Sequence, residues 1–176
     1  MSERTLVVVE DTAAFARTLK RSFERRGYRV LVAGDVQQTR EVLKTENPGY
    51  AVVDLKLGND SGLEAVQALH EHDPDMLIVV LTGFASISTA VNAIKLGACN
   101  YLVKPSKTDD IEAAFEREPK DLDVTPPARA TSIKTLEWEH IHETLVETGF
   151  NISEAARRLG MHRRTLARKL SKRRVR

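Results

Sequence analysis

The sequence predicts an α/β fold: a doubly wound five-stranded parallel sheet in the strand order 2-1-3-4-5, followed by a second, small all-α helix-turn-helix domain. Three observations carry this. Tyr50-Ala51-Val52-Val53-Asp54-Leu55 is a short apolar run entered through Pro48-Gly49, and such a run reads as a strand buried on both faces, as parallel sheets require. Four similar runs alternate with amphipathic segments. Charge then divides unevenly: residues 1–118 carry a net −4 and residues 119–176 a net +6, with 10 basic and no acidic residues after Glu154. That asymmetry joins an acidic module to one suited to nucleic acid.

The elements follow in order. Thr5–Val9 is the first strand and ends at Glu10-Asp11. Thr12 stands where it can cap the next helix, whose Phe15, Leu19 and Phe23 recur every four residues, and Gly27 ends it. Tyr28–Ala33 is the second strand, and Asp35 caps a helix through Val42 and Leu43. The central strand comes next, with Asp54 at its carboxyl end. Gly58-Asn59-Asp60-Ser61-Gly62 reads as a loop. Leu63, Val66 and Leu69 mark helix three; Met76–Leu81 is strand four, ending at Thr82-Gly83. Ile87, Ala90, Val91 and Ile94 line helix four, closed by Gly97. Cys99–Val103 is strand five, ending at Lys104-Pro105, and Asp109 or Asp110 opens helix five. Residues 119–134 hold Pro119 and Pro126-Pro127 without apolar periodicity and read as a semi-rigid linker. In residues 135–176, Leu136, Ile141 and Leu145 stripe one helix. Asn151 caps a second, Gly160 turns the chain, and His162–Lys172 is a third with Leu166 and Leu170 inward. About 40 residues make a small core, so packing against a second copy is expected, with Trp138 a core or dimer anchor.

Composition sets bounds. At 176 residues, 41% hydrophobic and 30% charged, the chain reads as an ordinary soluble protein. No apolar run approaches the ~20 residues of a membrane span, and Leu6–Val9 is too short for a signal peptide. One cysteine excludes an intramolecular disulfide, which places the chain in a reducing cytoplasm; Cys99 reads as core filling. His140 and His142 are two apart, so they point in different directions on a helix and offer no metal pair.

In a sheet of this order the ends of strands one, three, four and five surround one crevice. Glu10, Asp11, Asp54, Thr82 and Lys104 therefore converge. Three carboxylates in one pocket need a counter-charge, and oxygen donors without Cys or His point to Mg²⁺. Metal, ammonium and hydroxyl around one carboxylate match the needs of a transferring phosphoryl group, with Asp54 the nucleophile.

These residues resemble the response-regulator receiver domain of two-component signalling, a flavodoxin/CheY-like fold. The resemblance spans roughly residues 4–118 and rests on Glu10-Asp11, Asp54 in Val-Val-Asp-Leu, Thr82-Gly83, Tyr101 and Lys104-Pro105. It implies that Asp54 takes a phosphoryl group from a sensor histidine kinase. It implies that Asp11, Asp54 and the Lys56 main-chain carbonyl bind Mg²⁺, with Glu10 acting through water. Thr82 and Lys104 would contact phosphoryl oxygens, Tyr101 would be the switch aromatic, and the Lys104-Pro105 bond would be cis. Glu10 stands where Asp is commoner, and Gly58 where many members have Pro.

Asn151 to Leu170 resembles the Fis-type helix-turn-helix, with Ala155 and Ala156 small enough for close helix crossing. The start of its third helix would enter the major groove of double-stranded DNA. Arg163 is the candidate for a bidentate guanine contact. His162, Thr165, Arg168 and Lys169 are further DNA-facing positions, and Arg164 with Lys172, Arg173, Arg174 and Arg176 suits phosphate. The pairing of these two units, with no ATPase module between them, is similar to the redox-responsive RegA/PrrA/ActR/RoxR group. That implies a phosphorylation-controlled transcriptional regulator, homodimeric on activation, and not a turnover enzyme. Two alternatives stay open. A haloacid-dehalogenase-type phosphatase also uses Asp, Thr, Lys and Mg²⁺, but wants Asp-x-Asp on its first strand, where this chain has Glu10-Asp11-Thr12. A receiver could instead act only through protein contacts.

Overall fold

The alternation of the central strands decides the architecture. In a computed structural model of the chain, residues 4–83, 86–116 and 133–171 are described. β1 (Arg4–Val9), β2 (Tyr28–Ala33), β3 (Tyr50–Asp54), β6 (Leu77–Thr82) and β7 (Asn100–Val103) form one parallel sheet. Its order is β2-β1-β3-β6-β7, the 2-1-3-4-5 arrangement predicted from the sequence. A strand presents alternate residues to opposite faces. Val7, Val9, Ala51, Val53, Ile78 and Val80 accordingly enter one core, under α2 (Val36–Leu43), α3 (Gly62–His72) and α4 (Ile87–Lys95). Leu6, Val8, Val52, Val79 and Leu81 enter the other, under α1 (Ala13–Glu24) and α5 (Thr108–Glu116). Both faces of β1 and β3 are buried, which is why neither shows a polar alternate position.

Local chemistry sets the ends. Asp35 Oδ1 accepts from the Gln38 amide at 2.7 Å and caps α2. Thr12 occupies the cap position of α1 but makes no side-chain cap bond; its hydroxyl turns to Asp11 Oδ1 at 3.2 Å. The segment after Asp54 is not an open loop. Lys56–Leu57 (β4) and Asp60–Ser61 (β5) pair as a short antiparallel hairpin, with Gly58 at its tip in the left-handed region (φ 54°). The Gly58 amide donates to Asp11 Oδ2 at 3.1 Å, which ties the hairpin to the acidic pair.

Three more helices follow: α6 (Ile133–Glu147), α7 (Ile152–Arg158) and α8 (Arg163–Ser171). They enclose Ile141, Leu145, Ala155, Ala156, Leu166 and Leu170, with Trp138, Ile152 and Leu159 packed around them. Of the expected linker 119–134, only its last two residues are described, and they begin α6; the basic residues 172–176 also lie outside the described set. This small core does not stand alone within the chain. α6 lies along α4, and Val146 and Phe150 reach the apolar core of the sheet domain.

Gly62 sits where α3 leaves the β3 exit. A Cβ built there would fall 2.0 Å from the Asp54 carbonyl oxygen, a backbone atom that has nowhere to go. Gly62→Ala is expected to lower unfolding stability by roughly 3 kcal/mol, as overpacking against a fixed backbone does, measured by denaturant titration.

Candidate functional site

The register of the sheet assembles the site. Val9 pairs with Val53, so Glu10 follows beside Asp54. Asp54 pairs with Leu81, which sets Thr82 one step further out. Thr82 pairs with Val103, which sets Lys104 one step beyond that. Four strand ends thus deliver their polar residues to one rim, Glu10 level with Asp54 and then Thr82 and Lys104 each one residue further out.

The geometry is tight. Ligand oxygens of Glu10, Asp11 and Asp54 all lie within 4.8 Å of one another. Lys104 Nζ donates to Glu10 Oε2 and to Asp54 Oδ2, both at 3.0 Å. It also sits 4.3 Å from the centroid of the Phe15 ring, a cation–π contact on its apolar side. Glu10 Oε1 accepts from the Thr12 amide at 2.9 Å. Asp54 Oδ1 accepts from the Lys56 amide at 3.3 Å, which sets the Lys56 peptide beside the cluster. The Lys104-Pro105 bond is cis.

Burial and charge act against each other here. Burial, and then the Asp54 carboxylate, push the Glu10 carboxyl above its ordinary range, with Lys104 pulling back. Burial draws the Lys104 ammonium down, but Asp54 and Glu10 more than offset it and leave it above its usual value. Lys104 answers two of the three carboxylates and makes no such bond to Asp11. The donor set is all oxygen, and one ammonium leaves it short of positive charge. That fits a hard divalent cation at Asp11 and Asp54.

Thr82 is buried beside the cluster. Tyr101 is also buried and turned inward, and its hydroxyl hydrogen-bonds with the Thr82 side chain. Burial pushes the Tyr101 phenol up to about 12; contacts with the Ser86 backbone and with Thr82 work the other way, while the Glu139 carboxylate of α6 adds to the rise. Tyr101 of the sheet domain therefore lies within electrostatic reach of a residue of the last three helices.

In those helices, the α7–α8 turn is closed by Gly160 (φ 65°) and by the Met161 amide donating to the Ala156 carbonyl at 2.9 Å. The His162 carbonyl begins α8, accepting from Thr165 at 2.9 Å and Leu166 at 3.1 Å. His162, Arg163, Arg164 and Arg168 are exposed, and Thr165 and Lys169 half-buried. Lys169 does not project singly: its ammonium is 2.6 Å from Glu137 Oε1 on α6.

Sequence reasoning found all five crevice residues. It missed three supports. Phe15 looked like helix core and in fact floors Lys104. Gly62 carried a signal, a Gly after Ser61 at a helix start, but its reason is a close backbone approach. The Gly58 amide bond to Asp11 left no mark in the sequence.

A parallel sheet that gathers an acidic pair, a strand-end aspartate, a buried hydroxyl and a lysine at one rim defines a phosphoacceptor domain of signalling proteins. Residues 6–116 match the model of the response regulator receiver domain, and residues 132–172 that of the bacterial regulatory protein Fis family. The chain belongs to the response regulators: it is a transcriptional regulator with a receiver domain and a Fis-type DNA-binding helix-turn-helix. It is 45% identical over 171 residues to the acid tolerance regulatory protein ActR of Sinorhizobium medicae, covering 97% of this chain and 88% of that one. It is 44% identical over 172 residues to the photosynthetic apparatus regulatory protein RegA of Rhodobacter capsulatus, covering 98% and 93%. A crystal structure of a response regulator from Burkholderia pseudomallei, with a phosphorylated aspartic acid, calcium ion and citrate, superposes with a TM-score of 0.66 at 44% identity. It covers 97% of this chain and 100% of that one. ActR and RegA fall in the group that the sequence resembles, and nothing in these comparisons supports a phosphatase or a receiver without DNA-binding output. No described helix is long and apolar enough to cross a membrane.

Glu10 supplies a test of the electrostatics. A carboxyl held above its unfolded value favours folding at low pH and opposes it once pH rises through the folded value. Glu10→Gln is therefore expected to unfold at a higher midpoint than the parent at pH 7 without divalent cation, by about 1 kcal/mol. The gap should narrow when Mg²⁺ is added; thermal unfolding at pH 4 and 7, with and without the ion, checks both.

Proposed function

We propose that Asp54 accepts a phosphoryl group from a histidine of a sensor kinase, and that this controls DNA binding and dimerisation of the helix-turn-helix. The observation that carries the reading is Asp54 itself, at a strand exit, with Lys104 3.0 Å from Oδ2 and the Glu10 and Asp11 oxygens within 4.8 Å. A carboxylate oxygen of Asp54 attacks the phosphorus of phosphohistidine. The P–N bond breaks, the imidazole nitrogen keeps the electron pair and takes up a proton, and an acyl phosphate forms. Lys104 transfers its hydrogen bonds to phosphoryl oxygens and neutralises charge that grows there. Thr82 supplies a hydroxyl donor, and Tyr101 follows it. Mg²⁺, held by Asp11, Asp54 and the Lys56 carbonyl with Glu10 reached through water, would neutralise the remaining phosphoryl charge.

The chain is a phosphoacceptor and not a turnover enzyme; self-phosphorylation from small donors and self-dephosphorylation are the most it does alone. His162, Arg163, Thr165 and Arg168 face the bases, and Arg164 and Lys169 the phosphates, with Lys169 first released from Glu137. Two copies pair on an inverted repeat in the cytoplasm. Kinship with RegA-type regulators supports a redox signal upstream. Residue 118 is the working end of the receiver, and the output unit starts with α6 at Ile133, two residues inside the linker 119–134 expected from the sequence.

Asp54→Asn, incubated with Mg²⁺ and a small labelled phosphodonor, is expected to take up no label while the parent does; labelling at the parent level removes Asp54 from the role. Arg163→Ala is expected to weaken binding to a selected site by about 10- to 100-fold and to relax preference at one base per half-site. Footprinting on a selected site and its single-base variants reads both.

A further inference from the structure

The seam between the two domains holds a histidine that nothing above uses. His142 lies on α6 and is 1% exposed. Its Nδ1 is 3.5 Å from Ser61 Oγ of the β4–β5 hairpin, and its Nε2 has no hydrogen-bond partner among the described residues. Trp138 packs on it at 4.6 Å between ring centroids, and Lys56 Nζ stands 5.7 Å over the other ring system. Below it, Val146 of the same helix and Phe150 in the turn that follows pack against the receiver core. Phe150 also packs on the output core and is held there in the left-handed region (φ 62°), a backbone state an aromatic residue accepts only when its surroundings impose it.

We propose that His142 is a proton-operated latch between the domains: the neutral imidazole fits the seam, and protonation drives the output helices off the receiver. The reason is the poverty of the site in acceptors. Lys56 on β4 adds positive charge nearby. Asp60 on β5 is turned to the Val36 amide at 3.3 Å. Lys95 on α4 is exposed. Lys169 on α8 pairs with Glu137, and on α7 Arg157 and Arg158 pair with Glu154. On α6 itself, Glu139 faces Tyr101 and Glu143 is exposed. Among the described residues no carboxylate reaches either ring nitrogen, so an imidazolium would be buried with the Ser61 hydroxyl as its one side-chain acceptor.

Burial alone holds His142 down, from 6.5 to about 4. The docked arrangement is therefore at full strength above the free value and loses it as pH falls toward the docked one. Docking should be about tenfold weaker at pH 5.5 than at pH 7.5. This response needs no phosphoryl group, so it stands or falls apart from the role given to Asp54.

The test uses the full chain, without phosphodonor, in small-angle scattering across pH 5.5–7.5, with far-UV circular dichroism to show that both domains stay folded. The parent is expected to expand as pH falls and His142→Phe to stay compact throughout. Ser61→Asp gives the imidazolium a partner and keeps an N-cap for α3; it is expected to reverse the trend, compact at pH 5.5 and looser at pH 7.5. A parent that stays compact, a His142→Phe variant that expands like the parent, or a Ser61→Asp variant with the parent's pH direction would each overturn the latch.

Discussion

The Lys104 ammonium, held between Glu10 and Asp54, is the interaction on which the molecule depends. Without it, three carboxylates would meet at these strand ends with only backbone amides and the Thr12 hydroxyl to answer them. Burying such charge uncompensated costs several kcal/mol per group. The fold tolerates the cluster because one flexible side chain reaches in from the last strand and two amides, of Thr12 and Lys56, turn toward the oxygens. The arrangement is under-neutralised by its geometry: Asp11 is left to the Thr12 hydroxyl and a backbone amide at the tip of a hairpin.

The sheet and its crevice were legible because parallel strands buried on both faces leave an unambiguous mark. Val52-Val53-Asp54 has a carboxylate at the only place where such a strand can carry one. The same reasoning placed Thr82 and Lys104 correctly, although they are far from Asp54 along the chain. What the sequence hid were contacts made by groups with no chemical signature. Phe15 under Lys104 looks the same as any helix-core aromatic. Gly58-Asn59-Asp60-Ser61 has a loop's composition, and its pairing into a hairpin depends on two backbone hydrogen-bonding positions and on Asp11, not on side-chain type. Thr12 reads as a cap, but a neighbouring carboxylate competes for its hydroxyl.

The docking of α6 on the receiver lay further beyond sequence reach. His140 and His142 differ by two positions and only the second is buried, a distinction set by which face of α6 meets α4. An isolated output unit would show that stripe as a candidate dimer surface. Inside the chain it is partly used: Val146 and Phe150 belong to two cores at once, and Glu139 is set against the phenol that reports on Thr82. Receiver state and output position thus share atoms, and neither can be described without the other.

The one-residue steps from Asp54 to Thr82 and from Thr82 to Lys104 make this side of the site a staircase rather than a ring. A stair of this kind has a direction. Adding or deleting a single residue within β6 or β7 would turn Thr82 or Lys104 to the opposite face, while the turns at the far edge of the sheet can change length without touching a step. Tolerance to change in chain length is therefore polarised along the sheet, with one rim free to vary and the other counted to the residue.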